Sequence, residues 1–497
     1  MVFVRKSVWA NGGDVDDPLL FWYAKGVGEM KARPLSSLAG WRFMGAVHGI
    51  DTGLWQQYGY FTPGEPVPVP ADQTLYWNQC QHQSWYFLPW HRGYVWAIES
   101  MLRQAIVDAG GPDDWALPYW NYSDTSRPNA RLLPPAFSRQ TLPDGSANPL
   151  FVQQRYGQGT SPIVLPAGDV TLEALSVTFY TGTSRASSGF GGLKTGFSHG
   201  GGVSGRLESK PHNIVHVDIG GQNSAGPGLM SDPDTAGLDP IFWLHHANID
   251  RLWAVWNAAG NSDPTDAAWL NGPMDRKFVM PDLAGNPWFY TPAEMVDTLV
   301  APLGYTYDQF VQQKALASLQ ASGGTGGAES RTMTGPVEMM GANNGPVVLK
   351  GAVAAVTMVQ MEGGPSPKLA QMREGTAPEA PRDHRMLLNL ENIRSSRDGI
   401  VVDVYFNLPA GEKGAERVDL HAGSFGLFGA RKASNPEGEQ AGNGVTEILD
   451  VTDVMSSLEN KGEMQGGEVE VHLVPRHPVP DEAPITVERI SLYRQPS

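Results

Sequence analysis

The sequence predicts an α+β fold in which a mainly α-helical N-terminal domain, residues 1–310, precedes a C-terminal β-sandwich domain, residues 329–497. In the first part, segments punctuated by proline place apolar residues at helical spacing. In the second part, short apolar or alternating runs have the length of strands and are separated by Gly, Pro and Asn clusters. The Gly-rich run 322–327 has the composition of a flexible linker, which we assign to residues 311–328.

Composition and charge limit the classes of function. The chain has 497 residues, which is long enough for two or more domains. Its net charge of −16 disfavours nucleic acid as a partner. No apolar run approaches the roughly 18 residues of a membrane span. The N-terminus turns polar too soon for a secretory signal, so we expect a cytoplasmic protein. A single cysteine excludes an intrachain disulfide.

The most informative feature of the helical domain is a set of histidines that falls into two triplets. The first triplet is His48, His82 and His91. The second is His212, His216 and one of the adjacent pair His245 and His246. Two sets of three imidazoles are typical of two metal sites, each with a vacant position for a substrate. Imidazole binds Cu, Zn, Fe and Ni, so the ligand type alone does not choose the metal.

The first triplet needs two or more chain segments. His48 ends an apolar helical pattern. His82 and His91 are nine residues apart, so they would lie on opposite faces of one continuous helix. We expect Pro89 to force Leu88 towards extended geometry and to start a helix that carries His91 in its first turn. His82 would then approach from the preceding segment.

The second triplet lies on two predicted helices. His212 and His216 are at positions i and i+4, on one face of a helix that Pro211 can begin. The third ligand lies on a helix that Pro240 begins, with Asp239 as its N-cap.

Within the adjacent histidine pair, the sequence favours His246 as the ligand. Phe242 lies four residues before it, and Phe87 has the same position relative to the last histidine of the first triplet. Asp250 lies four residues after it, within reach of its other ring nitrogen. His245 would point about 100° away and is expected to be a packed or hydrogen-bonded neighbour.

With these residues assembled, the chain resembles the type-3 copper proteins, which are the tyrosinases, catechol oxidases and molluscan haemocyanins. The resemblance rests on the motifs Phe87-Leu-Pro-Trp-His91-Arg92, Pro211-His212-Asn213-x-x-His216 and Asp239-Pro-Ile-Phe-Trp-Leu-His-His246. It implies two copper ions per chain, held in a four-helix core. The implied ligands are His48, His82 and His91 for the first copper, and His212, His216 and His246 for the second.

The resemblance also implies roles for residues beside the ligands. Cys80 and His82 match the Cys-x-His of fungal tyrosinases and molluscan haemocyanins, in which a thioether joins the sulfur to the ligand ring. The alternative is a buried reduced cysteine. Glu208 and Asn213 resemble the couple that holds a water molecule which deprotonates an incoming phenol. The alternatives are an acid that favours a helix N-terminus and a polar surface residue.

Further resemblances concern the entrance and its cover. Plant enzymes of the family carry a bulky Phe where this chain has Pro233, so we expect a more open entrance that favours monophenols. Tyr305-Thr-Tyr307 resembles the motif that closes the catalytic domain. The tail resembles the β-domain of plant polyphenol oxidases, which covers the copper cleft and inserts an apolar or aromatic side chain. The candidates for this plug are Phe425, Leu427 and Phe428; the alternative is that they are core residues at strand edges.

These features predict a latent dicopper phenol oxidase that uses O2 to hydroxylate monophenols and to oxidise o-diphenols to o-quinones. The alternatives are a diphenol-only catechol oxidase, an o-aminophenol oxidase and a haemocyanin-like O2 carrier. Haemocyanins usually repeat this two-domain unit many times, so a single unit favours an enzyme. Hydrolytic zinc explains neither the repeated Phe-x3-His spacing nor the β-domain. The sequence leaves open the physiological phenol, cleavage of the C-terminal domain and the oligomeric state.

Overall fold

The computed structural model describes residues 2–159, 161–313, 337–361, 384–412, 414–438, 441–464 and 467–496. Within these ranges it confirms the predicted α+β class, with a helical N-terminal part and a C-terminal part rich in strands. The predicted linker, residues 311–328, lies outside the described residues from residue 314 onward.

The N-terminal part is built mainly from helices. They are α1 (Pro18–Lys31), α2 (Trp41–His48), α3 (Thr52–Gln57), α4 (Pro70–Tyr76), α5 (Phe87–Asp108), α6 (Ile214–Gly220), α7 (Pro233–Ala236), α8 (Pro240–Ala258) and α9 (Ala267–Asn271). Asp17, Asp232 and Asp239 cap α1, α7 and α8, because each side chain accepts a backbone N–H and a proline follows it. None of the helices in the described ranges is long and apolar enough to cross a membrane.

Two long helices, α5 and α8, form the centre of this part and pack against each other. Both are buried over most of their circumference, which suits helices that other elements surround. Large aromatic side chains fill the space around them, and Trp90, Trp243, Trp253 and Trp256 are each fully buried. The helical core is therefore rigid where it will hold the site.

Short strands lie between and after the helices. They are β1 (Phe3–Arg5), β2 (Gly202–Val203), β3 (Gln222–Asn223), β4 (Gly226–Pro227), β5 (Phe278–Pro281), β6 (Pro287–Tyr290) and β7 (Tyr305–Tyr307). β1 pairs in parallel with β7, so the start of the chain is fixed to the predicted tyrosine motif.

The C-terminal part contains the strands β8 (Glu338–Ala342), β9 (Val347–Leu349), β10 (Ala355–Met361), β11 (His384–Ile393), β12 (Val401–Phe406), β13 (His421–Gly426), β14 (Val445–Asp450), β15 (Glu468–Pro475), β16 (Ile485–Val487) and β17 (Arg489–Pro496). In the described residues of this part, the α-helices α10 (Ala430–Ala433) and α11 (Thr452–Lys461) interrupt the strands. β9 pairs with β16, and the others form one sheet in the order β13-β12-β15-β10-β8-β17-β11-β14-β2.

The sequence predicted a sandwich, whereas the strands form one continuous sheet that curls back on itself. β13 at one edge approaches β14, and a Cβ atom built on Gly423 would lie 3.3 Å from the Leu449 side chain. The curled sheet encloses its own apolar core, which includes Leu388, Val404 and Leu473. The C-terminal part thus has a core separate from that of the helices.

The last strand of this sheet, β2, comes from the N-terminal part. It pairs in parallel with β14, with Gly202 opposite Val445 and Val203 opposite Thr446. Arg476, which follows β15, adds ion pairs to the helical part, at 2.6 Å to Asp169 and 3.3 Å to Asp218. The β-domain is therefore docked on the face of the helical domain that contains β2 and α6.

Candidate metal centre

The six predicted copper ligands converge inside the helical domain, where each is at most 3% exposed. Helices α2, α5, α6 and α8 supply the ligands His48, His91, His216 and His246. The other two lie just outside these helices, with His82 in the loop before α5 and His212 in the helical turn before α6. Four helices therefore surround the site, as the predicted fold requires.

The start of α5 differs from the prediction. The helix begins at Phe87, so Leu88 is helical rather than extended and His91 lies in the second turn. Pro89 still lies in the first turn, where a backbone N–H has no intrahelical acceptor. The proline therefore costs no helical hydrogen bond at this position. His82 approaches from the preceding loop, as predicted.

In the first triplet, hydrogen bonds decide which ring nitrogen faces the centre. The Nδ1–H of His48 donates to the carbonyl oxygen of Pro233 at 2.7 Å, and that of His91 donates to the carbonyl oxygen of Phe87 at 2.8 Å. Because a carbonyl only accepts, each Nε2 keeps a free electron pair. The buried Nε2 atoms of this triplet, including that of His82, have no hydrogen-bond partner among the described residues. Such an arrangement fits one metal ion.

The second triplet is arranged in the same way. The Nδ1–H of His216 donates to the carbonyl oxygen of Met230 at 2.8 Å, and that of His212 donates to Oδ1 of Asn213 at 2.9 Å. The Nε2 of His246 lies 3.3 Å from the Nε2 of His212 and 3.4 Å from that of His216. Electron pairs held this close in a buried site are compatible with a cation between them.

Burial keeps these imidazoles neutral. It lowers the pKa of His48 to about 4 and the pKa of His212 to about 3. It also lowers the pKa of the other four ligands well below the usual value, and neighbouring imidazoles add to this effect. Metal binding requires neutral imidazole, so the site is prepared for a metal at neutral pH.

The two triplets lie side by side. The rings of His91 and His246, one from each triplet, stack with centroids 4.4 Å apart and an angle of 14° between their planes. The rings of His82 and His212 are also neighbours, at 5.9 Å. Two metal ions held by these triplets would therefore be close enough to share one small ligand.

His245 also belongs to the second cluster, because its ring nitrogens lie near those of His212, His216 and His246. Its Nδ1 is 3.1 Å from the hydroxyl of Tyr122, and its ring stacks on that of His212. This matches the expected packed and hydrogen-bonded neighbour. The Nε2 contacts to both other histidines favour His246 as the third ligand.

The two phenylalanines that precede ligands by four residues both pack against the site. The ring of Phe87 lies 4.6 Å from the rings of both His91 and His212. The ring of Phe242 lies 4.2 Å from that of His246 and 5.0 Å from that of His48. Each phenylalanine thus wedges a ligand of its own triplet against a ligand of the other.

The predicted contact of Asp250 with His246 is wrong. Asp250 accepts hydrogen bonds from Arg5, Arg92, Tyr305 and Tyr307, and the Nδ1 of His246 has no hydrogen-bond partner among the described residues. The i+4 spacing gave the right helix face, but two arginines compete for the carboxylate more strongly than an imidazole does. Burial alone would raise the pKa of Asp250, but these arginines hold it below its usual value.

Cys80 is buried between two histidines. Its Sγ lies 3.3 Å from the Nδ1 of His82 and 3.0 Å from the Nδ1 of His199. The predicted thioether would join Sγ to a carbon of the His82 ring, and the first contact places this ring beside the sulfur. His199 precedes a run of three glycines, yet it is 6% exposed and its Nε2 accepts a hydrogen bond from Lys432.

Glu208 and Asn213 lie beside the second triplet but are not bonded to each other. Oε1 of Glu208 accepts from the backbone N–H of Gln83 at 2.8 Å. The side-chain amide of Asn213 donates to Ser204 and Glu447, each at 3.2 Å. Burial raises the pKa of Glu208 well above its usual value. A buried carboxyl of this kind binds a proton more readily than an exposed one does.

Glu447 is a neighbour of this site that sequence reasoning missed. It follows the residues of β14 that pair with β2, and its carboxylate also accepts from Ser209. It is 2% exposed, and burial raises its pKa to about 7. No local spacing signals this role, because the residue comes from the other domain.

The three plug candidates have different positions. Phe425, in β13, and Leu427 pack into the core of the β-domain. Phe428 instead joins the apolar core of the helical domain and stacks on His216, with centroids 4.0 Å apart and an angle of 24°. Pro233, the predicted open gate, is buried beneath Gly429, the residue after Phe428, since a Cβ atom on Gly429 would lie 3.3 Å from the proline ring.

A group of ion pairs holds the segment that follows Phe428, and sequence reasoning missed it. Arg431 and Lys432 lie in α10. Arg431 binds Asp232 at 2.8 Å, and Lys432 binds Asp234 at 2.6 Å. These two aspartates flank Pro233 in the sequence. The sequence contains the two aspartates and the two basic residues, but no feature of the sequence indicates that they would meet.

Comparisons with known proteins agree with this geometry. A family model described as the common central domain of tyrosinase matches residues 39–259, and a domain of unknown function matches residues 336–495. Tyrosinase HcTyr1 of Hahella sp. (strain CCB-MM4) is 33% identical over 98% of this chain and 98% of its own length.

Plant proteins are also similar. The chloroplastic polyphenol oxidase of Vitis vinifera is 33% identical, over 40% of this chain and 33% of its own length. The structure of latent apple tyrosinase is 21% identical, covers 99% of this chain and 97% of its own, and superimposes with a TM-score of 0.60, which shows a shared fold. The paired histidine triplets, the tyrosinase domain and the full-length relative together show that the chain belongs to the type-3 copper family of tyrosinases and polyphenol oxidases.

Proposed function

We propose that this protein is a latent phenol oxidase with two copper ions per chain, which uses O2 to hydroxylate monophenols and to oxidise o-diphenols to o-quinones. The observation that carries the proposal is that two triplets of neutral imidazoles lie side by side, with His91 of one stacked on His246 of the other. Copper fits this donor set, since each triplet offers three imidazoles and no anionic side chain.

The first triplet would hold one copper and the second triplet, completed by His246, the other. When bound, the two copper ions supply two one-electron redox centres for the reduction of O2. The chain fixes the imidazoles through the carbonyl oxygens of Pro233, Phe87 and Met230, so ligand geometry does not depend on the substrate.

The position of the substrate ring follows from Phe428. Its ring stacks on His216 and also lies 5.5 Å from the ring of His82 and 5.6 Å from that of His212. The space that Phe428 fills thus accepts an aromatic ring that stacks on His216 and meets the rings of His82 and His212 edge to face. A phenol in this place would lie beside ligands of both triplets, and it can enter only if Phe428 leaves.

Glu208 and Asn213 support the hydroxylation step. The raised pKa of the Glu208 carboxyl suits a group that takes a proton from a phenol, directly or through a water molecule. In the closed chain the Asn213 amide is bonded to Glu447 of the β-domain. Displacement of the β-domain would therefore release both the ring pocket and this amide.

A diphenol-only catechol oxidase or an o-aminophenol oxidase is the second candidate. It is favoured by the hydrogen bonds that Glu208 accepts from Gln83 and that Asn213 donates to Ser204 and Glu447, because these bonds engage the groups that would hold the deprotonating water. Without a positioned base, a monophenol is deprotonated poorly, whereas a catechol is more acidic. A haemocyanin-like O2 carrier would oxidise neither class.

The test is O2 uptake by the copper-loaded full-length chain with a monophenol and with a catechol, before and after a cut within residues 314–336. The proposal expects uptake with both substrates, a clear rise after the cut and an unchanged copper content. Uptake with the catechol alone supports the second candidate. Reversible O2 binding without turnover of either substrate, before or after the cut, would identify a carrier.

A further inference from the structure

The segment from Phe428 to Lys432 occupies the site as a ligand would. Its aromatic ring stacks on His216, in the place proposed for a phenol. Four residues later, the ammonium of Lys432 binds Asp234 at 2.6 Å and donates to His199. Between them the chain passes over Pro233 at Gly429, whose φ of 73° lies in the region that favours glycine. The helical domain thus binds a peptide that carries a ring and a cation.

The two cations of this segment, Arg431 and Lys432, are bound by carboxylates of the helical domain. Asp232 and Asp234 are 0% and 9% exposed, and both lie beside Pro233 at the entrance. Asp51 adds a third carboxylate, 3.4 Å from Arg431. Among the described residues, every ion pair of these three aspartates is with Arg431 or Lys432 of the β-domain.

Opening of the domains would therefore leave this wall of the entrance negatively charged. A buried carboxylate that loses its partner cation is costly, so a cation on an incoming substrate would be stabilised in the same place. In the closed chain, Asp234 and Asp51 line a cavity of about 620 Å³ together with their partners Arg431 and Lys432. Arg276 also lines it, but its guanidinium is engaged with the carbonyl oxygen of Trp77 at 2.9 Å and with the ring of Phe197.

We propose that the open enzyme prefers phenols and catechols that carry a positive charge, with Asp234 as the residue that determines this specificity. The inference rests on the proposed function, since it assumes that an aromatic substrate replaces Phe428. The cation replaces Lys432 and binds Asp234, with Asp232 next to it. Two sources share this chemistry, namely small phenolic amines and tyrosines in basic peptides.

The test compares substrates on the copper-loaded full-length chain after a cut within residues 314–336. The small substrates are a catechol with an aminoethyl chain, an uncharged methylcatechol and a catechol with a carboxyethyl chain. The peptides are Tyr-Gly-Ala-Arg-Lys, which copies the bound segment with a phenol, and Tyr-Gly-Ala-Gln-Gln. The cleaved β-domain is left in every assay, where it competes equally with each substrate for the site. The comparison therefore uses ratios of kcat/KM.

We expect kcat/KM for the aminoethyl catechol to exceed that for the carboxyethyl catechol by about tenfold or more. Asp234→Asn should reduce this ratio to below about threefold, while Asp144→Asn should leave it unchanged. Asp144 is a matched control, because it also binds a lysine, Lys25 at 3.2 Å. If Asp234→Asn loses copper, the test uses the unmodified chain at increasing salt concentration. Screening should then reduce the ratio of kcat/KM between the aminoethyl and carboxyethyl catechols.

Equal kcat/KM values for the amine and the acid would overturn the inference, as would a ratio that salt does not change. A preference among the small catechols alone identifies small amines, and a preference among the peptides identifies tyrosines next to basic residues; both support the shared chemistry. If the uncharged methylcatechol is not oxidised at all, the proposed function fails instead, and the two failures are thus distinct.

Discussion

The ring of Phe428 lies on the ring of His216, with their centroids 4.0 Å apart and their planes 24° from parallel. The two residues belong to different domains, and the contact places the β-domain directly on a predicted copper ligand. In this arrangement the Nδ1–H of His216 donates to the carbonyl oxygen of Met230, so the stacked ring of Phe428 leaves that hydrogen bond in place. Latency in this protein would therefore be a steric property of one side chain, supported by the ion pairs of α10.

Phe428→Ala should raise catechol turnover of the uncut chain by about tenfold or more at constant copper content. The reason is that loss of a buried aromatic ring weakens docking, and each 1.4 kcal/mol raises the open fraction about tenfold. Initial rates and metal analysis measure this. In Phe425→Ala, which removes a ring from the β-domain core, any gain should come with a lower unfolding temperature. A Phe428→Ala chain as inactive as the parent would refute the plug role.

His246→Ala should lower the copper content to about one ion per chain. Turnover should fall by more than about 100-fold, because loss of a group that only hydrogen-bonds to a ligand can already cost that much. His245→Ala should keep both ions, because its Nδ1 bonds Tyr122 and its loss leaves all six predicted ligands in place. Metal analysis of the two variants side by side separates these roles. Loss of copper from His245→Ala alone would transfer the ligand role to His245.

The thioether between Cys80 and His82 is a prediction that mass spectrometry can test. Copper-loaded protein should have no reactive thiol after denaturation and should be lighter than its sequence by two hydrogen atoms. Because Cys80 Sγ is also 3.0 Å from His199, peptide mapping must identify the joined ring. Cys80→Ser serves as the control that cannot lose this mass. A full equivalent of thiol would mean that Cys80 is only a packed residue.

Glu208→Gln should depress monophenol turnover much more than catechol turnover in the opened enzyme. A general base contributes about 10²–10⁴-fold, and a catechol needs this help less because it is more acidic. The substitution keeps the shape of the side chain and its hydrogen bond from Gln83. Rates with both substrates on the same preparation give the result. Equal losses would assign Glu208 a structural role.

Asp250→Asn should destabilise the helical domain by about 3–5 kcal/mol, because it leaves the buried Arg92 without its counter-charge and leaves Arg5 with Glu99 alone. Denaturant unfolding followed by tryptophan fluorescence measures the change. Asp266→Asn, at an exposed ion pair with Lys194, should cost less than about 1 kcal/mol. If Asp250→Asn changes the free energy of unfolding only slightly but loses copper, the predicted contact of Asp250 with His246 would be supported after all.

Much of the fold and of the ligand set could be predicted from sequence. Helical spacing placed His48 at the end of a helix and put His212 and His216 on one face, and the matched spacing of Phe87 and Phe242 favoured His246 over its neighbour. Such features depend on 3.6-residue periodicity and on proline chemistry, which act within a few residues of the chain. Local rules of this kind are readable without knowledge of the partners.

Where local rules failed, long-range partners decided. Asp250 has the right helix face for His246 but pairs with Arg5, which is 245 residues away, and with Arg92. Of three neighbouring apolar candidates, the curl of the sheet buries Phe425 and Leu427 in its own core, which leaves Phe428 to reach the copper site.

By itself, the sequence determined that two histidine triplets on helices, followed by a β-rich domain, form a protein of the type-3 copper family. Only the tertiary structure decided how the second domain acts on the first. The contacts of Phe428 with His216, Glu447 with Asn213 and Lys432 with Asp234 join positions about 200 residues apart. Their energy comes from packing, hydrogen bonds and charge pairs made across a docked interface. No periodicity within the chain encodes which residues meet there.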